Sequence, residues 1–334
     1  MNISTFDFSE EAIARLTEQH VSILERQAIP GENKIWLLIE PTLKELSEVD
    51  EILSYFKGRE YQYITFPHED LKDVFKLWLV SIDSEDKGLL TWSMMTALNE
   101  LDPMRQKEGY GRTVCGWLMT SSPVDYLIKH IGETAVQRVM DNGSFMLRFF
   151  DPTVISQVSN HMDDWQRSRL FGAVNMWYFL DGDGQLVHET GFYQDKEQMD
   201  FSLSINVDCW EKIKRAGILT RILHDYRIRF RAEPRVNETI ARRWLDAAMD
   251  YLSGTAIWLQ PDVYLALGMA ILTKHPGVYH HSAFSACIVA AEKTVNKNYQ
   301  PLLQLLENAD WNTIIDECQK INDNPSPFYG PISE

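Results

Sequence analysis

Residues 135–152 read AVQRVMDNGSFMLRFFDP, and this stretch decides how the first part of the chain folds. The segments Ala135–Met140 and Phe145–Phe150 are rich in apolar residues, and Asn142-Gly143 between them suits a tight turn that needs positive φ. This pattern predicts a β-hairpin. Asp151-Pro152 ends the second strand, because proline is favoured in the first turn of a helix. We therefore expect the hairpin to lead into a helix.

Strands and helices alternate on the N-terminal side of this hairpin. The continuous apolar run Ile35–Ile39 predicts a strand buried on both faces. Further strands are predicted at 61–66, 77–82 and 114–120, and helices at 9–27, 45–56 and 89–101. On the C-terminal side, a second hairpin is expected at 175–188, with Asp181-Gly182-Asp183-Gly184 at its turn. These elements predict a mixed α/β lobe with two hairpins that ends near residue 190.

The pattern changes to helices after about residue 199. Helical spacing of apolar residues is found at 205–216, 219–230, 237–253, 261–273, 282–295, 299–307 and 311–321. The sequence therefore predicts an α+β protein, with the mixed lobe over residues 1–190 and an all-helical lobe over 191–322. Residues 323–334 are rich in Pro, Asn and Ser, and we expect them to form a loose tail.

The chain carries 32 basic and 48 acidic residues among 334, a formal net charge of −16. This acidity argues against a nucleic-acid binder, which needs a basic face, and weakly against adsorption to an anionic membrane. The segment Lys212–Arg243 differs, because it holds ten basic and three acidic residues. It is either a solvated helix surface or a docking strip for an acidic partner, and charge alone does not separate the two.

The four cysteines, Cys115, Cys209, Cys287 and Cys318, form no CxxC pair. Four reduced thiols in a reducing compartment are expected. Residues 1–11 have no basic region of the kind that opens a signal peptide, and no apolar stretch has the length and continuity of a membrane span. We expect a cytoplasmic protein.

Motifs of enzyme chemistry are scarce. Gly109-Tyr110-Gly111 resembles the start of a dinucleotide fingerprint, but Val114 stands where the third glycine belongs, so a tight turn is the better interpretation. The run Asp181–Gly184 resembles the start of a calcium loop but lacks its terminal Glu. Arg148 lies within an apolar strand close to Asp151. It forms either a structural ion pair or a contact to an anion or partner. No cofactor or metal is predicted.

Several segments in order resemble the adaptor-chaperones of bacterial type VI secretion, the Tap or TEC proteins, formerly a domain of unknown function. The segments are Trp36–Pro41, Trp78–Ile82, Glu108–Thr113, Gly116–Ser121, Leu147–Pro152 and Leu170–Gly172. The Arg-Phe-aromatic-Asp-Pro element is the most specific. In the Gly-aromatic-Gly element this chain has Tyr110, where tryptophan is expected more often. The resemblance covers about residues 35–180 and excludes the helical lobe.

The resemblance implies a non-catalytic chaperone that binds a toxic effector and helps load it onto the VgrG spike protein, with a PAAR tip domain as a further candidate partner. It implies a shared α/β lobe and a variable helical lobe tuned to one effector. The candidate residues of the shared lobe are Gly109, Tyr110, Gly111, Arg148, Phe150 and Asp151. The candidate effector-docking residues are Arg221, Arg227, Arg229 and Arg231.

Two other classes of function stay open. The first is a small-molecule enzyme, a hydrolase or a nucleotide-binding protein, that uses Arg148 and Asp151. Such an enzyme would have a deep polar pocket, whereas an adaptor would have an exposed apolar or aromatic patch. The second is a scaffold that only self-assembles, which would form a symmetric homo-oligomer.

Overall fold

The computed structural model describes residues 3–4, 6–27, 34–43, 52–71, 75–83, 86–108, 110–139, 143–191, 200–231 and 233–323. The chain divides into two compact units. Phe6–Ala216 forms one, here the sheet unit, and Met1–Thr5 with Gly217–Glu334 forms the other, here the helical unit. The α+β fold class is confirmed, with an N-terminal sheet lobe and a helical C-terminal part. The tail predicted at 323–334 lies outside the described residues except for Asp323.

The sheet unit is built on a six-stranded sheet in which all the paired strands are antiparallel. Its strands are β2 (Lys34–Ile39), β3 (Tyr61–Thr65), β4 (Lys76–Ile82), β5 (Val114–Thr120), β8 (Met176–Leu180) and β9 (Leu186–Thr190). Their order in the sheet is β3-β4-β2-β5-β8-β9. The strand β1 (Ile3–Ser4) pairs with β10 (Arg235–Val236) in the helical unit.

Helices cover both faces of this sheet. They are α1 (Glu10–Gln27), α2 (Lys87–Asn99), α3 (Pro103–Lys107), α4 (Val124–Thr134), α5 (Pro152–Ser159) and α6 (Asp164–Leu170). Side chains of α1 and α2 pack on one face, and those of α4, α5 and α6 pack on the other. The central strand β2 contributes alternate side chains to the two cores, Trp36 and Leu38 to one and Leu37 to the other. Burial on both faces explains its continuous apolar run.

Both predicted hairpins are present, but the strand predicted at 145–150 is wrong in its extent. It spans Gly143–Met146, so Arg148 lies after the strand and not within it. The chain turns here because the Phe149 and Asp151 backbone N–H groups donate to the nearby carbonyls of Leu147 and Arg148.

The first hairpin is β6 (Val136–Val139) with β7 (Gly143–Met146), and Gly143 has the positive φ of +75° that its turn position suggested. The second is β8 with β9. Of the helix predicted at 45–56, residues 52–56 are helical and the rest lies outside the described residues.

The helical unit contains α8 (Glu238–Tyr251), α9 (Pro261–Thr273), α10 (Ser282–Glu292), α11 (Gln300–Asn308) and α12 (Trp311–Asp323). The helices predicted at 205–216 and 219–230 are wrong as separate elements, because α7 (Val207–Arg229) is continuous. Gly217 lies between the two predicted segments, but a single glycine costs a helix only about 1 kcal/mol, and buried side chains on both sides of it hold the helix together. The division between the units falls inside this helix.

A bulge in β5 fixes the backbone close to the candidate residues of the shared lobe. Leu38 pairs with Gly116 and Ile39 with Val114, so Cys115 is the extra residue. The indole Nε1 of Trp177 donates to the Cys115 carbonyl at 3.3 Å. Gly116 has φ of +141°, and a Cβ atom there would lie 2.4 Å from the Tyr178 carbonyl oxygen. Only glycine fits this position.

Across the part of the chain that the structure describes, none of the helices has the length and apolar character needed to cross a membrane.

We expect Gly116→Ala to lower the free energy of unfolding by about 2 kcal/mol or more, because β8 must move to admit the methyl group. Gly217→Ala is the matched control, since a Cβ there meets nothing within 4 Å. It should stabilise the chain by about 0.5–1 kcal/mol. Equilibrium urea unfolding followed by tryptophan fluorescence measures both. A Gly116→Ala variant as stable as the wild type would contradict the close approach of the Tyr178 carbonyl to Gly116.

His130 should make stability depend on pH. Burial lowers its pKa to about 4, and its Nε2 donates to the Leu170 carbonyl at 3.0 Å. An unfolded chain protonates histidine near pH 6.5, so stability is lost as the pH falls from about 6.5 to 4. In unfolding curves across this range, His130→Gln should show a shallower decline than the wild type. If stability declines equally steeply with falling pH in the wild type and in His130→Gln, His130 is not the source of the pH dependence.

Candidate functional site

A buried ion pair joins Glu40, at the end of β2, to Arg148, which follows β7. Glu40 directly follows β2 and is 1% exposed. The Arg148 guanidinium donates to both of its carboxylate oxygens, from Nη1 to Oε1 at 3.0 Å and from Nη2 to Oε2 at 2.7 Å. The Thr42 hydroxyl also donates to Oε1, at 3.1 Å. This two-pronged geometry is the strongest form of a carboxylate–arginine contact.

Aromatic rings and a second carboxylate hold Arg148 in place. Its guanidinium lies 5.7 Å from the Phe75 ring centroid and 5.5 Å from that of Phe150, which is fully buried. Its Nη2 lies 3.6 Å from Asp151 Oδ2. Asp151 also caps α5, since its Oδ1 accepts from the Thr153 backbone N–H at 2.8 Å. These contacts favour the structural interpretation of Arg148 and Asp151.

A second buried acid joins the same region. Glu100, at the end of α2, accepts hydrogen bonds from the backbone N–H groups of Thr113 and Val114 at 2.8 and 3.2 Å, and from the Thr113 hydroxyl. The Thr113 carbonyl in turn accepts from the Glu40 backbone N–H at 2.8 Å. Thr113 therefore connects the two acids through the backbone, at the end of β2 and the start of β5.

The Gly-Tyr-Gly element forms the approach to β5. Gly109 lies outside the described residues. Tyr110 is half-buried, with the Arg105 guanidinium 5.4 Å from its ring centroid. At Gly111 a Cβ atom would lie 2.7 Å from Cδ1 of Leu43. Arg112 is buried and donates to the Leu180 carbonyl at 2.6 Å. This element packs chain segments together in a way that suits a structural turn.

Burial dominates the electrostatics of this cluster. It raises the pKa of Glu40, and Arg148 pulls in the opposite direction. Burial lowers the pKa of Arg148, but Glu40 and Asp151 outweigh it and the net shift is upward, so Arg148 is charged at any ordinary pH. Burial raises the pKa of the Cys115 thiol well above its usual range, which makes this cysteine a poor nucleophile. Among the described residues, no group of three or more metal-ligating side chains lies together.

The four candidate docking arginines differ in their surroundings. Arg227 is largely buried and paired with Glu238, which also binds Arg242. Arg221 is exposed, and its Nη1 donates to the Tyr264 hydroxyl at 3.1 Å. Arg229 is 59% exposed and lies 3.0 Å from Asp225. Arg231 is also exposed. Arg227 therefore holds two segments of the helical unit together, and the other three present their side chains to solvent.

Sequence reasoning missed an exposed group of aromatic rings in the sheet unit. It comprises Tyr55, Tyr61, Tyr63 and Trp92, here called the aromatic surface. The three tyrosines are 36%, 38% and 48% exposed. Ring centroids lie 4.7 Å apart for Tyr55 and Trp92 and 5.7 Å apart for Tyr61 and Tyr63. Trp92 is half-buried, and the buried ring of Phe56 lies 6.2 Å from the Tyr61 ring and 6.4 Å from the Trp92 ring, so the two pairs share one buried neighbour. Tyrosine and tryptophan are the side chains that most often anchor protein interfaces.

Sequence reasoning also missed Glu40 as a site residue. The available signal was an acid directly after the apolar run Ile35–Ile39.

Residues 35–169 match the family model described as Domain of unknown function (DUF4123). No curated protein and no solved structure matches the chain. The matched region contains Glu40, Arg148, Asp151 and the aromatic surface, and the helical unit lies outside it.

Arg148→Ala should lower the free energy of unfolding by about 3 kcal/mol, because it leaves the Glu40 carboxylate buried and unpaired. Arg148→Lys should recover only part of this loss, since one ammonium group cannot donate along two parallel directions and stack on two rings. Urea unfolding gives both values.

Two comparisons sharpen this experiment. The apolar double variant Glu40→Leu/Arg148→Met should be more stable than Arg148→Ala. Arg138 is an exposed arginine of the β6–β7 hairpin. The control variant Arg138→Ala should change the free energy of unfolding by about 0.5 kcal/mol at most. If Arg148→Ala behaves like Arg138→Ala, the ion pair does not hold the cluster.

Proposed function

We propose that this protein is a non-catalytic cytoplasmic adaptor that binds a type VI secretion effector and helps load it onto the VgrG spike protein. The observation that carries the proposal is the match of residues 35–169 to a family commonly associated with effector adaptors of this system. The motif segments that suggested the same family from sequence fall almost wholly within that match.

The geometry of the cluster around Glu40 supports an adaptor more than an enzyme. Arg148 and Asp151, the residues that an enzyme was expected to use, bind Glu40 and the start of α5. A catalytic acid or an anion-binding arginine needs free valences directed at a substrate. The aromatic surface, by contrast, exposes side chains of the type that anchor partner proteins.

The two units suggest a division of labour within this proposal. The aromatic surface lies in the family-matched region, so it suits a partner shared by the family, the spike protein. Arg221, Arg229 and Arg231 lie outside that region, so they suit the effector, which differs from one adaptor to another. Charged groups at the rim of an interface act mainly on association rate and partner choice.

Co-purification with the tagged full-length protein from its native host, followed by mass spectrometry, tests the function directly. A spike protein and a toxin should be recovered together with the wild type. Recovery of neither, or a homo-oligomer alone by light scattering, would refute the adaptor and favour the scaffold. Hydrolysis or nucleotide binding that is lost in Arg148→Lys would favour the enzyme.

Reversing Arg221, Arg229 and Arg231 to glutamate should weaken effector recovery several-fold, at about 0.2–1 kcal/mol for each exposed pair lost. The melting temperature should stay within a few degrees. Arg227 is excluded, because its reversal would place a like charge beside Glu238. Unchanged effector recovery would show that the basic segment is only a solvated face.

Tyr61→Ser/Tyr63→Ser should lower spike recovery and leave effector recovery unchanged, since it removes two anchoring rings. Trp165→Ser is the matched control, because Trp165 is 50% exposed in the same unit but lies outside the aromatic surface. If the tyrosine double variant recovers as much spike protein as Trp165→Ser does, the aromatic surface is not part of the interface.

A further inference from the structure

An open groove lies between α9 and α11 of the helical unit, with a volume of about 350 Å³. One wall is a single face of α9, where Ala266, Met269 and Thr273 follow one another at helical spacing. Leu303 and Leu306 of α11 form the other wall, and Trp311, the first residue of α12, also lines the groove. The volume is at the lower end of the range for binding sites.

The sequence of α9 is apolar on all sides, yet the structure leaves one side open. Residues 261–273 read PDVYLALGMAILT. Its inner face is buried, including Val263, Leu267 and Ile271. The groove face, by contrast, is only partly covered by the described residues. A helix that is apolar all round is normally buried all round, so this face is expected to be covered in a complex.

Charges at the rim indicate what covers it. Arg229 and Lys274 stand beside the apolar floor, and both are exposed. The Lys274 ammonium lies 5.8 Å from the Trp311 ring centroid, and Trp311 stacks on Phe284 at 5.8 Å. Glu307 is the one acid among the residues that line the groove. Two of the lining residues are basic and one is acidic, so the lining is net positive and complements a carboxylate-bearing partner, although Arg229 also pairs with Asp225 at 3.0 Å.

We propose that this groove binds an amphipathic helix of the effector. Apolar side chains at three- and four-residue spacing enter between α9 and α11, and acidic side chains on the flank pair with Arg229 and Lys274. This is the helix-in-groove mode of recognition. Met269, at the centre, has the flexible side chain that adapts to different anchors. The proposal rests on the effector-binding function above and specifies its site and the chemistry of its ligand.

A photo-crosslinking residue at position 269 of the full-length protein tests the groove. p-Benzoylphenylalanine is incorporated there and, as the control, at Val295, which is 97% exposed in the same unit and does not line the groove. After irradiation in the native host, adducts are mapped by mass spectrometry. We expect an adduct only at position 269, to an effector segment with apolar residues at helical spacing and flanking Asp or Glu.

Charge reversal separates the groove from the rest of the surface. Arg229→Glu/Lys274→Glu should lower the yield of this adduct by roughly fivefold, corresponding to two partly exposed ion pairs. Changing the mapped acids of the effector to lysine should restore it. Lys293→Glu/Lys320→Glu, two exposed lysines of the same unit outside the groove, should leave the yield unchanged.

Other outcomes overturn the groove proposal and leave the adaptor function distinguishable. An adduct to residues 324–334 or to a second copy of the chain would assign the groove another occupant. An effector that co-purifies but crosslinks no better at position 269 than at position 295 binds elsewhere, so the adaptor function would stand without this site. If the wild type recovers no effector and position 269 gives no adduct, both proposals fall.

Discussion

The Glu40 carboxylate is the constraint on which the sheet unit depends. A charge that is 1% exposed cannot remain in an apolar interior without a cation and hydrogen bonds, because its desolvation costs several kcal/mol. Arg148 supplies both, and it arrives at the end of a hairpin more than a hundred residues later in the chain. Correct pairing therefore requires β2, the hairpin and the start of α5 to be in place together.

Local sequence signals were sufficient wherever one residue type imposes a backbone geometry or a burial pattern. Ile35–Ile39 could be assigned to a buried strand and Gly143 to a hairpin turn, and the structure agrees at both. The prediction of two helices where α7 is continuous shows where such local signals fail. A glycine raises the local cost of a helix, but packing distributed along α7 outweighs it, and packing between distant segments is not visible in a short window of sequence.

The candidate site also depends on contacts between distant segments, which a short window of sequence does not show. Arg148 and Asp151 stood out as charges in an apolar setting, yet their partner Glu40 is distant in sequence. Tyr61 and Tyr63 share one face of a strand by simple alternation. That β3 is a sheet edge, and that this face meets α2 and residues 52–56, follows only from the order of strands in the sheet. The groove could not be predicted from local sequence either, because its two walls belong to α9 and α11, which are separated by about thirty residues.

Gly116 has a consequence for how such domains diverge. The space for a side chain is taken by the backbone of β8 and the indole of Trp177, so drift in the surrounding side chains does not create room for a larger residue. The bulge and its glycine should then persist in descendants whose surface motifs have been rewritten. A glycine inside a fully buried strand, followed at once by tryptophan, would be a marker for tracing remote relatives after their binding surfaces have become unrecognisable.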